Sequence, residues 1–408
     1  MAVNLAPPSN LLPVPGVHVG AACAEIKQNT RNDLALFEFA EGTQVAGVYT
    51  QSHFAAAPVQ MARDNETQTN HLCRSWVVNS GNANAATGTE GLSDAGAICA
   101  KAARLLQLPD TEVQPFSTGV IGERLPVERM VDALDRCYRD LRPDGWLAAA
   151  EAIMTTDTVA KGHSEQIQLD GKTITITGIA KGSGMIKPNM ATMLAYMATD
   201  ANVSGSVVKA LVQRSVQKTF NRVTVDGDTS TNDCFMLACT GQADHAVIEN
   251  TDDPRFDELL AAVTEVAERL AQSLARDGEG ATKFITVCVK GGISEEDCLA
   301  VAYTIAESPL VKTAMFAGDA NWGRFCMAIG RAPTPNVDAS KVDVYVDDVQ
   351  IAEGGLMCGS YTEGAGAAVL AQDEFTITVN LGLGDAEETV WTSDLSYDYV
   401  RINAEYRT

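Results

Sequence analysis

Residues 193–198 read Met-Leu-Ala-Tyr-Met-Ala, so that Met193, Ala195 and Met197 alternate with Leu194, Tyr196 and Ala198. A strand apolar on both faces belongs in the centre of a sheet that is covered on both sides. Directly before it stands KGSGMIKPNMAT, residues 181–192, a turn in which Gly182 and Gly184 can take positive backbone angles and Pro188 fixes one dihedral. A side chain at the junction, Thr192, would project from the rim of a rigid core, which is good support for a reactive group. The pattern alone also admits an ordinary reading, in which a β-branched residue opens a strand after a glycine-proline loop.

The remainder of the chain has to supply the covering layers. Pro126 sits at the first turn of a predicted helix whose apolar face is Val127, Met130, Val131, Leu134 and Tyr138. A longer helix is marked by Phe256, Leu259, Leu260, Val263, Val266, Leu270 and Leu274, and ends near Gly278. Strand-like runs fall at 76–78, 173–177, 193–199, 284–289, 342–349 and 375–379. Helices and strands come in pairs rather than in strict βαβ alternation. The class is therefore α/β, in the form of an α+β layered sandwich with mixed sheets. With 408 residues, 46% of them apolar, the length allows two or three domains or one large α/β unit. No internal repeat or low-complexity linker divides it.

Charge and cysteine usage narrow the function. A net charge of −23, from 30 basic and 53 acidic residues, argues against a nucleic-acid partner or an anionic membrane, since phosphate contact needs a basic footprint. An anionic substrate would need a local cationic pocket. Ten cysteines are scattered without any CxxC spacing, which disfavours a zinc or thioredoxin-like site and suits a reducing cytoplasm. Prolines at 7, 8, 13 and 15 interrupt what would have to be a signal peptide's apolar stretch, and no run approaches transmembrane length.

Familiar catalytic patterns are missing. The KGSGMIK segment has neither the GxxxxGK[ST] spacing nor the dinucleotide fingerprint. His18, His53, His71, His163 and His245 stand apart with no HExxH, no GxSxG elbow occurs, and each histidine reads as a surface or loop residue. A hydrolytic or transfer site built without histidine, cysteine or metal remains, and its hydroxyl nucleophile needs some other base.

The stretch KGSGMIKPNMATML resembles the self-processing junction of the ornithine acetyltransferase (ArgJ) family, the glutamate N-acetyltransferases of arginine biosynthesis. The resemblance extends through VVNSGNANAATG at 77–88, STGVIGERLP at 117–126, IMTTDT at 153–158, TVDGDTSTND at 224–233, DGEGATK at 277–283, GDANWGR at 318–324 and the terminal YVRINAEYRT. It implies an ArgJ/DmpA-like layered sandwich with N-terminal-nucleophile chemistry. It implies that the chain cuts itself between Ala191 and Thr192, giving an alpha chain of 1–191 and a beta chain of 192–408 that begins with the nucleophile. A freed α-amino group has a pKa of about 7.7–8.0 and can take the proton of its own residue's hydroxyl, which would explain the missing histidine.

The activity implied is transfer of acetyl from N-acetylornithine to glutamate through an acetyl-threonine ester, with no cofactor. Some family members also use acetyl-CoA as donor, and the sequence does not distinguish them. The resemblance carries the oxyanion hole to the Thr118 hydroxyl and the Gly119 backbone N–H. It carries substrate contacts to Thr155, Lys181, Thr192, Glu279, Asn403 and Thr408, with the adjacent Thr156 as the other candidate in MTTDT. It further implies two alpha and two beta chains per assembly, in the cytoplasm. On residue chemistry, Lys181 suits a substrate carboxylate and Glu279 an ammonium. Two rivals stand beside this reading: an amidase or aminopeptidase with the same kind of nucleophile, in which water takes the acyl group, and an acidic binding protein with a glycine-rich loop.

Overall fold

The computed structural model describes residues 2–27, 30–187 and 193–405. The apolar run forms the strand Leu194–Thr199, buried along its whole length. It is the middle strand of a five-stranded sheet in the order Gln44–Tyr49, Cys234–Cys239, Leu194–Thr199, Lys172–Lys181, Lys161–Leu169. Leu194 pairs in parallel with Cys234 and antiparallel with Lys181, so three chain segments end together at one edge of the sheet.

Both faces of that strand are covered. Ala195 and Met197 pack with Val207 and Leu211 of the helix Gly205–Lys218 and with Val266 and Leu270 of the helix Pro254–Arg276. Tyr196 points to the other side, into a cluster with Phe37, Trp76 and Phe116. The Tyr196 ring lies 5.5 Å from that of Trp76 and 5.2 Å from that of Phe116, in the tilted and edge-on geometries that aromatic quadrupoles favour. Phe37, Trp76 and Phe116 belong to a four-stranded sheet, Val17–Ala22, Leu34–Phe39, Ser75–Asn82, Val113–Val120. The far face of this sheet, through Leu34, Leu36 and Val77, is closed by the helices Gly88–Leu106 and Val127–Arg139. The layers thus run helix, sheet, sheet, helix. Burying a large apolar side chain contributes about 1.5–3 kcal/mol, and the two-faced strand draws on both inner cores at once.

A six-stranded sheet follows, in the order Leu356–Met357, Val349–Glu353, Asp343–Val346, Glu374–Asn380, Phe284–Gly292, Ala386–Ser393. Its core includes residues of the helices Glu295–Ala306, Pro309–Ala317 and Trp322–Gly330. Each of the three sheets contains both parallel and antiparallel pairs, as a mixed layered sandwich requires.

Two local expectations need correction. The run 342–349 is not one strand but two, Asp343–Val346 and Val349–Glu353, because Asp347 turns the chain at φ 43° and its carboxylate accepts the Thr376 N–H at 2.8 Å. Pro126 is the residue before the helix Val127–Arg139 rather than in its first turn. The long helix ends at Arg276, two residues before Gly278. Among the described residues no helix is long and apolar enough to cross a membrane.

Candidate active site

A cavity of about 280 Å³ opens where the strands around Leu194 end, and Thr118, Gly119, Lys181, Met193, Glu279 and Asn403 are among its walls. Thr118 and Gly119 lie near the end of the strand Val113–Val120. Gly119 has φ 133°, and a Cβ there would stand 2.3 Å from the carbonyl carbon of Gly81 and 2.5 Å from the nitrogen of Asn82. Only glycine fits between these backbones, where the pairing of the two strands bulges. The Asn232 amide fastens the same corner by donating to the carbonyls of Ala83 at 2.6 Å and Ser117 at 2.8 Å.

Lys181 closes the neighbouring wall as the last residue of its strand, buried rather than a solvated loop charge. Its Nζ donates to the Thr118 Oγ at 3.3 Å. A hydroxyl that accepts from an ammonium keeps its own proton to donate, so Thr118 can offer an O–H into the cavity. Burial pushes the Lys181 ammonium below its ordinary pKa, while the Asp157 charge works the other way.

Beneath it lies a buried ionic cluster: Lys161 Nζ donates to Asp157 and to Asp277, each at 2.6 Å. Burial would raise the Asp157 carboxyl, but Lys161 and Lys181 outweigh it and hold the group well below the usual carboxylate range. Asp157 also accepts the N–H of Thr155 at 3.0 Å and of Gly182 at 2.7 Å. One carboxylate therefore fixes both the threonine loop and the start of the glycine turn. Thr156 and Ser183 join those two loops again through their hydroxyls, 2.6 Å apart.

The opposite wall is built from the chain's last helix. Glu279 follows the helix Pro254–Arg276, its N–H donating to the Ser183 carbonyl at 2.7 Å. Its carboxylate accepts the Asn403 amide at 2.8 Å. Asn403 reaches it from the helix Tyr397–Ala404, which Ser396 both caps and ties down by donating to the Gly280 carbonyl at 2.6 Å. Within the turn itself positive angles fall on Gly182, φ 151°, and on Met185, φ 57°, and not on Gly184. Asp226 stabilises that conformation by accepting the N–H groups of Met185 at 2.7 Å and Ile186 at 2.9 Å.

Thr118, Gly119, Thr155, Thr156, Lys181, Glu279 and Asn403 line the same cavity. Ala191, Thr192 and Thr408 lie outside the described residues, and Met193, to which Thr192 is bonded, lines the cavity. Sequence reasoning missed Asp233, which is 3% exposed in the same wall and whose carboxyl is pushed far up by burial against the opposing bond from the Ser230 N–H. Its sequence signals are its place at the end of TVDGDTSTND and directly before the wholly apolar strand Cys234–Cys239.

Two histidines make contacts that their sequence positions do not signal. His245 is buried and accepts the Asn202 N–H at 3.0 Å, and His163 meets Glu165, two residues along the same strand, at 2.9 Å. Among the described residues no group of His, Cys, Asp or Glu is arranged to hold a metal ion. Cys73 is typical of the buried cysteines, its thiol pushed up to about 12 by burial, which suits packing and not nucleophilic chemistry.

A layered α/β sandwich whose strand ends enclose hydroxyl, lysine and carboxylate groups is an architecture for acyl transfer. The protein belongs to the ArgJ family, whose description matches residues 18–408. It is 52% identical over 408 residues, the whole of both chains, to the arginine biosynthesis bifunctional protein ArgJ of Pseudomonas fluorescens (strain Pf0-1), and equally to that of Pseudomonas syringae pv. tomato (strain DC3000). Among solved structures, the arginine biosynthesis bifunctional protein of Bacillus halodurans is 38% identical with a TM-score of 0.50, covering 52% of this chain and 99% of that one.

Proposed function

We propose that the protein is an arginine-biosynthesis acetyltransferase that moves acetyl from N-acetylornithine to glutamate, with Thr192 as nucleophile. The observation that carries this reading is the meeting of Thr118, Gly119, Lys181, Glu279 and Asn403 in one cavity that Met193 also lines.

Maturation comes first: the chain is cut between Ala191 and Thr192, which frees the α-amine that serves as base. The Bacillus halodurans chain supports this division, since nearly all of its length corresponds to about half of this one. In the first transfer step the Thr192 oxygen attacks the acetyl carbonyl and its proton passes to the α-amine. The tetrahedral oxyanion accepts bonds from the Thr118 hydroxyl and the Gly119 N–H. Collapse returns the proton to the departing nitrogen, leaving ornithine and an acetyl ester. Glutamate's α-amine then attacks that ester through the same sequence of proton transfers. Losing one well-aimed oxyanion donor costs about 3 kcal/mol in such reactions. Lys181 holds the substrate's α-carboxylate, Glu279 receives the ornithine ammonium, and Thr155, Asn403 and Thr408 complete the binding wall. No cofactor enters.

The Pseudomonas relatives are named bifunctional. The second activity follows if acetyl-CoA also acylates Thr192, and kinetics with acetyl-CoA as sole donor tests it. The working assembly is two alpha and two beta chains in the cytoplasm. Thr192→Ala is the direct test: it should give a single uncut chain without transfer, and two bands on a denaturing gel would overturn the assignment. Accumulation of acetate in place of acetylglutamate would point to an amidase instead.

A further inference from the structure

The cavity has a second lobe of about 170 Å³, and Gly119, Thr155 and Thr156 line both. The lobe's remaining walls are Lys27, Arg31, Ser80, Gly81 and Ile402. Among the described residues it therefore presents two cations and no carboxylate, in a chain whose net charge is −23. The main cavity differs: there the Glu279 carboxylate faces Lys181, and burial pushes the Asp233 carboxyl toward its neutral form. Arg31 is half-buried and is held by one Nη, which donates to the Met154 carbonyl. Asp33, the acid nearest to it in sequence, makes its hydrogen bonds elsewhere, its two oxygens accepting the N–H groups of Ala24 at 2.5 Å and Ile26 at 2.8 Å, although the Arg31 charge still acts on its carboxyl, which burial raises and that charge lowers.

We propose that this lobe is an anion subsite that receives the side-chain carboxylate of the amino-acid acceptor. The inference rests on the exchange proposed above, in which ornithine and glutamate must each place an α-nitrogen at the same acetyl carbonyl. Their α-carboxylates can share one cation, but their side chains end in opposite charges. A pocket whose distal group is the Glu279 carboxylate attracts the ammonium and repels a second carboxylate. The acceptor's side chain is instead directed past Gly119 to Arg31, whose planar fork matches a carboxylate in two-point geometry. Lys27 adds a second, exposed charge to the lobe's wall. The site thus separates its two substrates by lobe and not by one compromise pocket.

A phosphate of acetyl-CoA offers related anionic chemistry, so the experiment must distinguish the two sources. Arg31→Gln in the full-length protein is assayed in three ways: the burst of ornithine released from acetylornithine without acceptor, the KM for glutamate in the complete exchange, and the KM for acetyl-CoA. The expected result is a burst unchanged within about twofold, a glutamate KM raised by about tenfold or more, and a matching fall in the preference for glutamate over glutamine, since a charge-assisted two-point bond is lost. Arg31→Lys should recover part of the loss. An unmoved glutamate KM, a burst that falls in step with transfer, or an increase confined to the acetyl-CoA KM would each overturn the proposal. Should Arg31→Gln fail to fold, Lys27→Gln serves in its place, with a smaller shift in the same direction expected and no shift decisive against. Failure of the unmodified protein to release ornithine would remove the exchange reading itself, a separate outcome.

Discussion

A methyl group at position 184 would stand 2.4 Å from the carboxyl carbon of Glu279. The backbone there does not need glycine for its angle; the carboxylate needs the room. Gly184→Ala should therefore displace Glu279 from its 2.8 Å bond with Asn403, raising the acetylornithine KM while leaving the melting temperature nearly unchanged. Lys181→Met should act on both constants, raising the acetylornithine KM through the lost carboxylate contact and lowering kcat because the Thr118 hydroxyl loses the donor that orients it, by less in single-turnover rates than the about 10²–10³ that removal of a whole oxyanion donor costs. For Asp157→Asn the effect should be on folding. Removing one partner of a buried ion pair typically costs about 3–5 kcal/mol, measurable by urea unfolding. The pH dependence belongs to the α-amine: its base form grows as pH rises through about 7.7–8.0, so kcat/KM should climb from pH 6 and level off above that range. A flat profile would exclude the amine as base.

None of the residues of the helix Tyr397–Ala404 is buried. It is held by polar contacts through Ser396, Tyr399 and Asn403, so deleting residues 403–408 should abolish most transfer activity yet leave chain cleavage and secondary structure intact. The helix Pro309–Ala317 shows the reverse situation: burial lowers its Lys312 from 10.5 to about 8. The unfolded chain then binds the extra proton between those values, so stability should rise with pH across about 8 to 10.5, and Lys312→Met should remove that increment in melts compared at pH 7.5 and 9.5. Elements with a long apolar period, such as Pro254–Arg276 and Leu194–Thr199, were legible because one sequence pattern dictates each. The hairpin at Asp347 was not, because a left-handed aspartate leaves no pattern in a run of valines. Asp233 and Arg31 were equally hidden: what makes them part of the site is proximity to Lys181 and Gly119, residues far away in the chain.

At the scale of the molecule, the five-stranded sheet draws Gln44–Tyr49, Lys161–Leu169 and Lys172–Lys181 from before residue 191, and Leu194–Thr199 and Cys234–Cys239 from after it. The segments on either side are halves of one fold, not separate domains. A protein cut at that position should elute as one species in native gel filtration and give two bands only after denaturation. The same interleaving sets the order of events. The ladder that pairs Ala180 with Ala195 flanks the junction on both sides, so the proposed cut would create its new chain ends within a sheet that has already been assembled. Maturation of this kind is unimolecular: its half-time should not change on dilution, and no second molecule has to meet the first.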